Sequence, residues 1–309
     1  MYENKTTRRK FLKTAGFGLA VPIAASAIPI AMTEMTAGSS DRTALPGAGA
    51  AVTTLNAAPP ATRKFELGMA SYTFRAFNLD ETLAMTKRLG LGWISLKSMH
   101  LPLDASPAEI KAVAAKVRAA GIEPYSGGVI YMTTEAEARQ AFAYAQAAGM
   151  KIIIGVPNHD LLPLVDSLVK QYDTKLAIHN HGPTDKIYPS PESAYDRIKN
   201  LDRRLGLCID VGQTQRSGID PAVSAERCFD RLFDVHVKDV TAATASGATL
   251  EAGRGVVDLP KLMAALTRLG YAGTVSLEYE KDEKDPLPGS AESIGYLRGI
   301  LAAQGTPVR

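Results

Sequence analysis

Short apolar runs alternate with amphipathic stretches along residues 63–309 of the chain. Eight of these runs have the length and composition of buried strands, and a stretch with helical periodicity follows each one. A regular alternation of strands and helices is typical of a parallel sheet. The predicted strands are Glu66–Ala70, Trp93–Lys97, Glu123–Ser126, Lys151–Val156, Lys175–His179, Leu205–Asp210, Leu232–Val237 and Thr274–Glu278.

The predicted helices are marked by start and stop signals in the sequence. In the second helix Ser106 is the predicted N-cap, Pro107 occupies the first helical position, and Gly121 ends the segment. The first helix is predicted to begin at Asp80 and to stop at Gly90. The other predicted helices begin near Glu135, Asp160, Pro191, Pro221, Leu259 and Ser290.

Eight strand–helix units over about 245 residues predict an α/β protein with a (β/α)8 TIM barrel. A doubly wound open sheet is the alternative, but it usually carries a glycine-rich phosphate loop after its first strand. The segment Ser71-Tyr72-Thr73-Phe74-Arg75 contains no glycine at this place. We therefore predict a single barrel domain over residues 63–309.

The amino terminus has the pattern of an export signal. Thr7-Arg8-Arg9-Lys10-Phe11-Leu12-Lys13 is a twin-arginine signature, and an uncharged apolar stretch follows it. We predict a Tat signal peptide over residues 1–32, transient contact with the Tat export machinery, and a periplasmic location. Glycines and prolines interrupt the stretch, which disfavours the alternative of a stable membrane anchor. Residues 33–62, rich in Ala, Thr, Gly and Pro, are predicted to be a flexible linker.

Composition narrows the class of protein. Hydrophobic residues make up 46% and charged residues 22% of the chain, as in soluble globular proteins. The net charge of +3 comes from the first 13 residues, and the remainder has 30 basic and 31 acidic groups. Because this remainder of the chain is nearly neutral, it gives no reason to expect nucleic-acid binding. The two cysteines exclude a disulfide framework, and Cys208 is expected to face the barrel interior as a small apolar residue.

Four consecutive predicted strands end in side chains that can bind a metal ion. They are His179, Asp210, His236 and Glu278, and in a barrel the carboxyl ends of the strands form the catalytic face. Imidazole and carboxylate ligands together suit Mn, Co or Zn, whereas Mg prefers oxygen ligands and is less favoured. The sequence therefore predicts a divalent metal site.

Other polar side chains are predicted to lie at the same face. Lys97 and His181 are candidates for a catalytic base, because desolvation lowers the pKa of such groups. Alternatively, Lys97 is a solvated charge and His181 a hydrogen-bonded structural imidazole. Glu278 is a candidate for both metal binding and catalysis. The candidate substrate-binding residues are His100, Gln213, Lys238 and Arg254.

Several segments resemble the xylose isomerase-like TIM-barrel superfamily, the sugar phosphate isomerase/epimerase group that also contains endonuclease IV. The resemblance covers about residues 65–302. It implies that Asp210, His236 and Glu278 occupy metal-ligand positions. The family usually has Glu where this chain has His179, and His where it has Gln213. The segments that carry the resemblance are Leu207–Gln213, Asp234–Asp239, Gly253–Leu259, Gly270–Gly273 and Val275–Glu280.

The resemblance also implies a class of reaction. Family epimerases use two metal-flanking glutamates as opposed acid and base, and His179 replaces one of them here. We expect a metal-dependent enzyme that removes a proton next to a carbonyl of a sugar or keto-sugar. Because sugar phosphates belong to the cytoplasm, the predicted periplasmic location indicates an unphosphorylated substrate. Isomerisation or epimerisation and 3-keto-glycoside elimination both remain open. The alternatives are a non-catalytic periplasmic sugar-binding barrel and, less favoured, an endonuclease IV-like phosphoesterase, which needs a three-metal cluster and a basic DNA-binding face.

Overall fold

The computed structural model describes residues 65–305, so the predicted signal peptide and linker lie outside the described residues. Eight parallel strands close into a barrel in the order β1-β10-β7-β6-β5-β4-β3-β2, which confirms the predicted (β/α)8 fold. A two-stranded hairpin, β8 with β9, lies outside the barrel sheet. The strands are β1 (Glu66–Ala70), β2 (Trp93–Leu96), β3 (Glu123–Met132), β4 (Ile152–Pro157), β5 (Lys175–His179), β6 (Leu205–Asp210), β7 (Leu232–Val237), β8 (Asp239–Val240), β9 (Thr249–Leu250) and β10 (Thr274–Leu277).

Helices connect the strands of the barrel. Short 3-10 turns at Ser71–Phe74, His159–Leu161 and Phe229–Arg231 supplement them. The α-helices are α1 (Leu79–Arg88), α2 (Pro107–Ala119), α3 (Glu135–Ala148), α4 (Leu162–Tyr172), α5 (Pro191–Ile198), α6 (Val211–Arg216), α7 (Pro221–Arg227), α8 (Leu259–Leu269) and α9 (Leu287–Ala303). None of the helices in this part of the chain has the length and apolar character that a membrane span requires.

The helix boundaries follow local capping chemistry. Ser106 caps α2 in a capping box with Glu109, as the sequence predicted. Helix α1 begins one residue earlier than predicted because Asn78 accepts a hydrogen bond from the Glu81 amide. Helix α9 begins at Leu287 rather than near Ser290, with a proline in its first turn.

Strand β3 is longer than its predicted span of Glu123–Ser126. It continues through Gly127 and Gly128 to Met132, with an irregular register against β4 between Gly127 and Ile130. A Cβ atom on Gly128 would lie 2.3 Å from the Ile154 carbonyl oxygen, so only glycine permits this close approach. The pair of glycines is therefore part of the strand, and the extension brings Tyr131 to the barrel mouth.

The apolar core consists of one large cluster and one small cluster. The large cluster includes buried strand residues and the inner faces of the helices, with Phe65, Phe142 and Leu262 among its members. A small separate cluster consists of Ile154, Ala177 and Cys208. Cys208 and Cys228 are both buried and free. The Cys208 sulfur lies within 4.8 Å of a ring nitrogen of His179 and of His236, so it faces the barrel interior as expected.

Candidate active site

A cavity of about 280 Å³, called the pocket below, lies among residues at and beyond the carboxyl ends of the strands. This is the end of a TIM barrel at which active sites are found. Most of its lining residues are polar or ionisable, so it suits a polar ligand. They are Tyr72, Lys97, Val129, Tyr131, His179, His181, Asp210, Gln213, Lys238, Glu278 and Glu280.

The four residues predicted as metal ligands come together at the floor of the pocket. His179 Nε2 lies 3.5 Å from Asp210 Oδ2 and 3.9 Å from Glu278 Oε2. His236 Nδ1 lies 3.4 Å from the same Glu278 oxygen. The strand register explains the convergence, because Asp210 and His236 are direct partners on the adjacent strands β6 and β7.

The donor set fits a divalent cation. The ligand atoms of His179, Asp210 and Glu278 all lie within 4.8 Å of one another. Both ring nitrogens of His179 and the Nε2 atom of His236 are buried without a hydrogen-bond partner within residues 65–305. Buried polar atoms normally have partners. A cation bound by imidazole nitrogens and carboxylate oxygens would satisfy several of them.

Lys238 is fully buried beside these ligands. Its ammonium group lies 2.8 Å from Glu278 Oε2, 3.0 Å from Asp210 Oδ2 and 2.5 Å from Glu280 Oε1. Burial lowers the pKa of Lys238, but the three carboxylates outweigh it and raise the pKa well above 10.5. Lys238 is therefore a permanent positive charge. Its aliphatic stem packs against Gly212, where a side chain would collide with it.

Burial and the neighbouring charges determine the ionisation of the surrounding groups. Burial raises the pKa of Asp210 to about 6, against the opposing charge of Lys238. Burial also disfavours the charged form of Glu278, but Lys238 and His236 hold its pKa well below 4.5. Burial lowers the pKa of His179 well below 6.5, so its imidazole is neutral and able to act as a ligand.

Lys97 lies on the other side of the pocket, directly after β2. Its Nζ atom donates a hydrogen bond to the Val129 carbonyl oxygen at 2.7 Å and lies 5.7 Å from the centre of the Tyr72 ring. Burial lowers the pKa of Lys97, and the charge of Glu278 opposes this effect. A lowered pKa makes the neutral amine, which can accept a proton, more accessible.

His181 lies two residues beyond the end of β5 and faces the pocket. Its Nε2 atom is 3.0 Å from the Tyr131 hydroxyl, and the two rings are stacked with their centres 5.5 Å apart. Its Nδ1 atom lies 3.4 Å from a carboxylate oxygen of Asp185. Burial is the main cause that lowers the pKa of His181, so the neutral imidazole is favoured.

The candidate substrate-binding residues divide into two groups. Gln213 and Lys238 line the pocket, whereas His100 and Arg254 lie elsewhere. The His100 ring contacts Ser71 Oγ at 2.9 Å and Thr82 Oγ1 at 3.0 Å, next to the 3-10 turn that follows β1. Arg254 donates to both carboxylate oxygens of Glu292 on α9 at the surface, at 2.5 and 2.8 Å.

The loop between β9 and α8 is organised by Asp239. One oxygen of its carboxylate accepts the backbone amides of Gly253 and Gly255, each at 2.9 Å. The other accepts the amides of Val240 at 2.8 Å and Val257 at 3.1 Å. A Cβ atom on Gly255 would lie 2.1 Å from the carboxylate, so glycine is required for this contact.

Four residues that line the pocket were not among the candidates from the sequence: Tyr72, Val129, Tyr131 and Glu280. Glu280 could have been found, since it follows Ser276 and Glu278 at intervals of two and side chains on a strand alternate. Tyr131 could not, because the predicted third strand stopped at Ser126. Tyr72 lies in a 3-10 turn that no sequence signal marked.

Known proteins resemble the chain in sequence and in fold. "Rhizopine catabolism protein MocC" of Rhizobium meliloti is 29% identical over 153 residues, which are 44% of this chain and 46% of MocC. The match thus spans about half the length of that relative. A D-tagatose 3-epimerase-like protein superposes with a TM-score of 0.64 at 17% identity, covering 78% of this chain and 98% of that one. The IolI protein, solved with a bound zinc atom, superposes with a TM-score of 0.63 at 18% identity and the same coverage.

Both solved structures are too distant in sequence to show more than a shared fold. The family assignment comes from the sequence profile described as "Xylose isomerase-like TIM barrel", which matches residues 83–300. The matched region includes all four residues that converge at the pocket floor. The chain therefore belongs to the xylose isomerase-like TIM-barrel family.

Proposed function

We propose that the protein is a divalent-metal-dependent enzyme that removes a proton next to a carbonyl of an unphosphorylated sugar or keto-sugar. The convergence of His179, Asp210, His236 and Glu278 beside two groups of lowered pKa, Lys97 and His181, supports this reaction. A bound divalent cation would polarise the carbonyl and stabilise the negative charge that develops on its oxygen. The zinc atom bound by IolI supports a cation of this kind.

The chain's own residues supply the proton transfer. The neutral amine of Lys97 accepts the proton from the carbon next to the carbonyl, and the Val129 carbonyl oxygen keeps the amine pointing into the pocket. His181 is the second proton-transferring group, and its contact with Tyr131 fixes the plane of the imidazole. Lys238 stays protonated and orients the carboxylates of Asp210 and Glu278.

The charges of the pocket favour an uncharged substrate. Asp210, Glu278 and Glu280 contribute three carboxylates, and the Lys238 ammonium is already paired with all three. A phosphate group would meet these carboxylates without a free, permanently charged partner among the lining residues. The cavity of about 280 Å³ is near the lower end of small-molecule sites, roughly 300–1,000 Å³, and suits a single sugar ring.

Two outcomes of the proton abstraction are supported by different observations. Similarity to a D-tagatose 3-epimerase-like protein favours isomerisation or epimerisation. Elimination from a 3-keto-glycoside is favoured by the unlike pair Lys97 and His181, since a lyase needs one base for the carbon and one acid for the leaving group. We also propose export by the Tat route to the periplasm, from the twin arginines Arg8 and Arg9.

The test is to incubate metal-stripped and Mn²⁺-, Co²⁺- or Zn²⁺-loaded protein with free sugars, sugar phosphates and 3-keto-glycosides in deuterated water. Proton NMR identifies the product. Solvent deuterium at the carbon next to the carbonyl indicates isomerisation or epimerisation, and an unsaturated sugar with a released aglycone indicates elimination. Turnover should require the metal and an unphosphorylated substrate. Saturable binding without exchange or turnover would instead support a sugar-binding barrel and overturn the enzymatic proposal.

A further inference from the structure

The two histidines at the pocket floor have more ring nitrogens than one ion can use. His179 and His236 are 98–99% buried. His236 Nδ1 lies 3.4 Å from Glu278 Oε2, whereas His236 Nε2 and both nitrogens of His179 have no hydrogen-bond partner in the described part of the chain. A single ion takes at most one nitrogen from each ring. A metal-bound histidine normally donates its second N–H to a carboxylate, a carbonyl or a water. The second nitrogen of His179 therefore remains to be accounted for.

Cys208 lies next to both rings, deeper in the barrel. It is the register partner of His179 on the adjacent strand and is fully buried. Its sulfur and one nitrogen of each histidine lie within 4.8 Å of one another. His179 therefore belongs to two ligand sets, one completed by the carboxylates of Asp210 and Glu278 and the other by Cys208 and His236.

We propose that His179, Cys208 and His236 form a second cation position, below the carboxylate-containing one, that selects soft metal ions such as Zn²⁺ and Cd²⁺. Thiolate and imidazole ligands prefer soft and borderline cations, whereas carboxylates also accept harder ions such as Mn²⁺. The Cys208 thiol is free. Metal binding replaces its S–H bond with a sulfur–metal bond and releases one proton to the solvent.

This inference shares the histidines of the proposed active site but does not depend on the proposed reaction. Its failure would leave the carboxylate site and its chemistry intact. The competing explanation is that the Cys208 thiol only forms a hydrogen bond with one imidazole. A thiol in that role keeps its proton and gives no thiolate-to-metal charge transfer, so spectroscopy distinguishes the two.

The experiment is a titration of the metal-stripped full chain with Cd²⁺, followed by near-ultraviolet difference absorption and by proton release in weak buffer. We expect a thiolate-to-cadmium band that saturates at one equivalent, with about one proton released per ion. Cys208→Ser should lose the band. Cys228→Ser is the matched control and should keep it, because Cys228 is also buried but belongs to no comparable ligand cluster within residues 65–305.

A further variant separates the two cation positions. Asp210→Asn weakens the carboxylate set and leaves the three proposed lower ligands, so the band should persist. Cys208→Ala serves if the serine variant does not fold, as judged by its circular dichroism. Absence of the band in the unmodified protein, or its persistence in both Cys208 variants, would overturn the proposal.

Discussion

The Nζ atom of Lys238 lies 2.8 Å from Glu278 Oε2, inside the mouth of the barrel. Asp210 and Glu280 contact the same ammonium, so one buried cation is surrounded by three carboxylates. A divalent cation bound beside them would bring the sum of these charges to zero. Because uncompensated buried charge is costly, the cluster is expected to be most stable with an ion bound.

Removal of the amine at position 97 should lower turnover and leave metal binding intact. Lys97→Met keeps most of the aliphatic stem, and loss of a general base typically costs about 10²–10⁴-fold in rate. Lys175→Met is the control, since Lys175 is an exposed residue at the opposite end of its strand. Steady-state kinetics and metal analysis provide the measurements. Unchanged turnover in Lys97→Met and in His181→Ala would show that neither group is the base.

The wild-type pH profile tests the same residue. Because burial lowers the pKa of Lys97 from 10.5, kcat/KM should rise with pH through a value below 10.5 as the amine loses its proton. The rising limb should be absent from the residual activity of Lys97→Met. A profile of unchanged shape in that variant would assign the limb to another group.

Metal loading should raise the thermal stability of the protein. An ion present at 100 times its Kd, and bound only by the folded state, stabilises by about 2.7 kcal/mol. Asp210→Asn should remove most of the Mn²⁺-dependent rise in Tm, because it loses a carboxylate from the ligand set. Asp220→Asn, at the N-cap of α7, is the control that should retain it. An equal rise in both variants would argue against Asp210 as a ligand.

The packing of Gly212 against Lys238 can be tested by a double-mutant cycle. A Cβ atom on Gly212 would lie 2.3 Å from Lys238 Cγ, and the lysine is held at its other end by carboxylates. Gly212→Ala should therefore cost about 1–3 kcal/mol of unfolding free energy. With Lys238→Ala already in place, the same change should be close to neutral. Gly299→Ala on α9, where the space is open, is the control and should not destabilise the protein.

The loss of folding stability at low pH should depend in part on Glu251. Lys281 and Tyr279 both donate to one oxygen of this carboxylate, and chiefly the Lys281 bond lowers its pKa to about 2. A pKa below the unfolded value of about 4.5 means that the contribution is present above pH 4.5 and is lost as the pH falls towards 2. Glu251→Gln should thus lower Tm at pH 7, with a difference that shrinks below pH 4.5. Glu283→Gln, in the exposed neighbouring segment, is the control. Its Tm difference from the wild type should not shrink in this way below pH 4.5.

Export can be tested independently of the fold. If the Tat machinery recognises Arg8 and Arg9, their replacement by lysine should leave the precursor in the cytoplasm. Cell fractionation with immunodetection measures this directly. A Lys5→Arg and Lys13→Arg variant keeps the positive charge and both critical arginines, so it should still be exported. Unchanged periplasmic recovery after the double replacement would refute the assignment.

Periodicity and strand-end chemistry were enough to predict the barrel and the converging metal-ligand candidates. Strands β1, β5, β6 and β7 have their predicted bounds. His179 pairs with Cys208 on the adjacent parallel strand, and Asp210 follows two residues later on the same face of β6. These features depend on local pattern and on the closure of the sheet, both of which the sequence contains.

Other features depend on backbone irregularities and on long-range contacts. The extension of β3 through Gly127 and Gly128 contradicts the usual interpretation of a glycine pair as a strand end. It determines where Tyr131 and the Val129 carbonyl oxygen meet the pocket. The position of Arg254 likewise depends on Glu292, which lies 38 residues away in sequence.

The carboxylate of Asp239 has a consequence for how the protein can evolve. It fixes both the start of the β8–β9 hairpin and the loop that leads back to α8, so the hairpin tip around residues 242–248 projects from a closed base. Changes in the length of the tip should then leave the strand ends undisturbed. The tip is therefore a suitable place for insertions that add new contacts without changing the base of the hairpin.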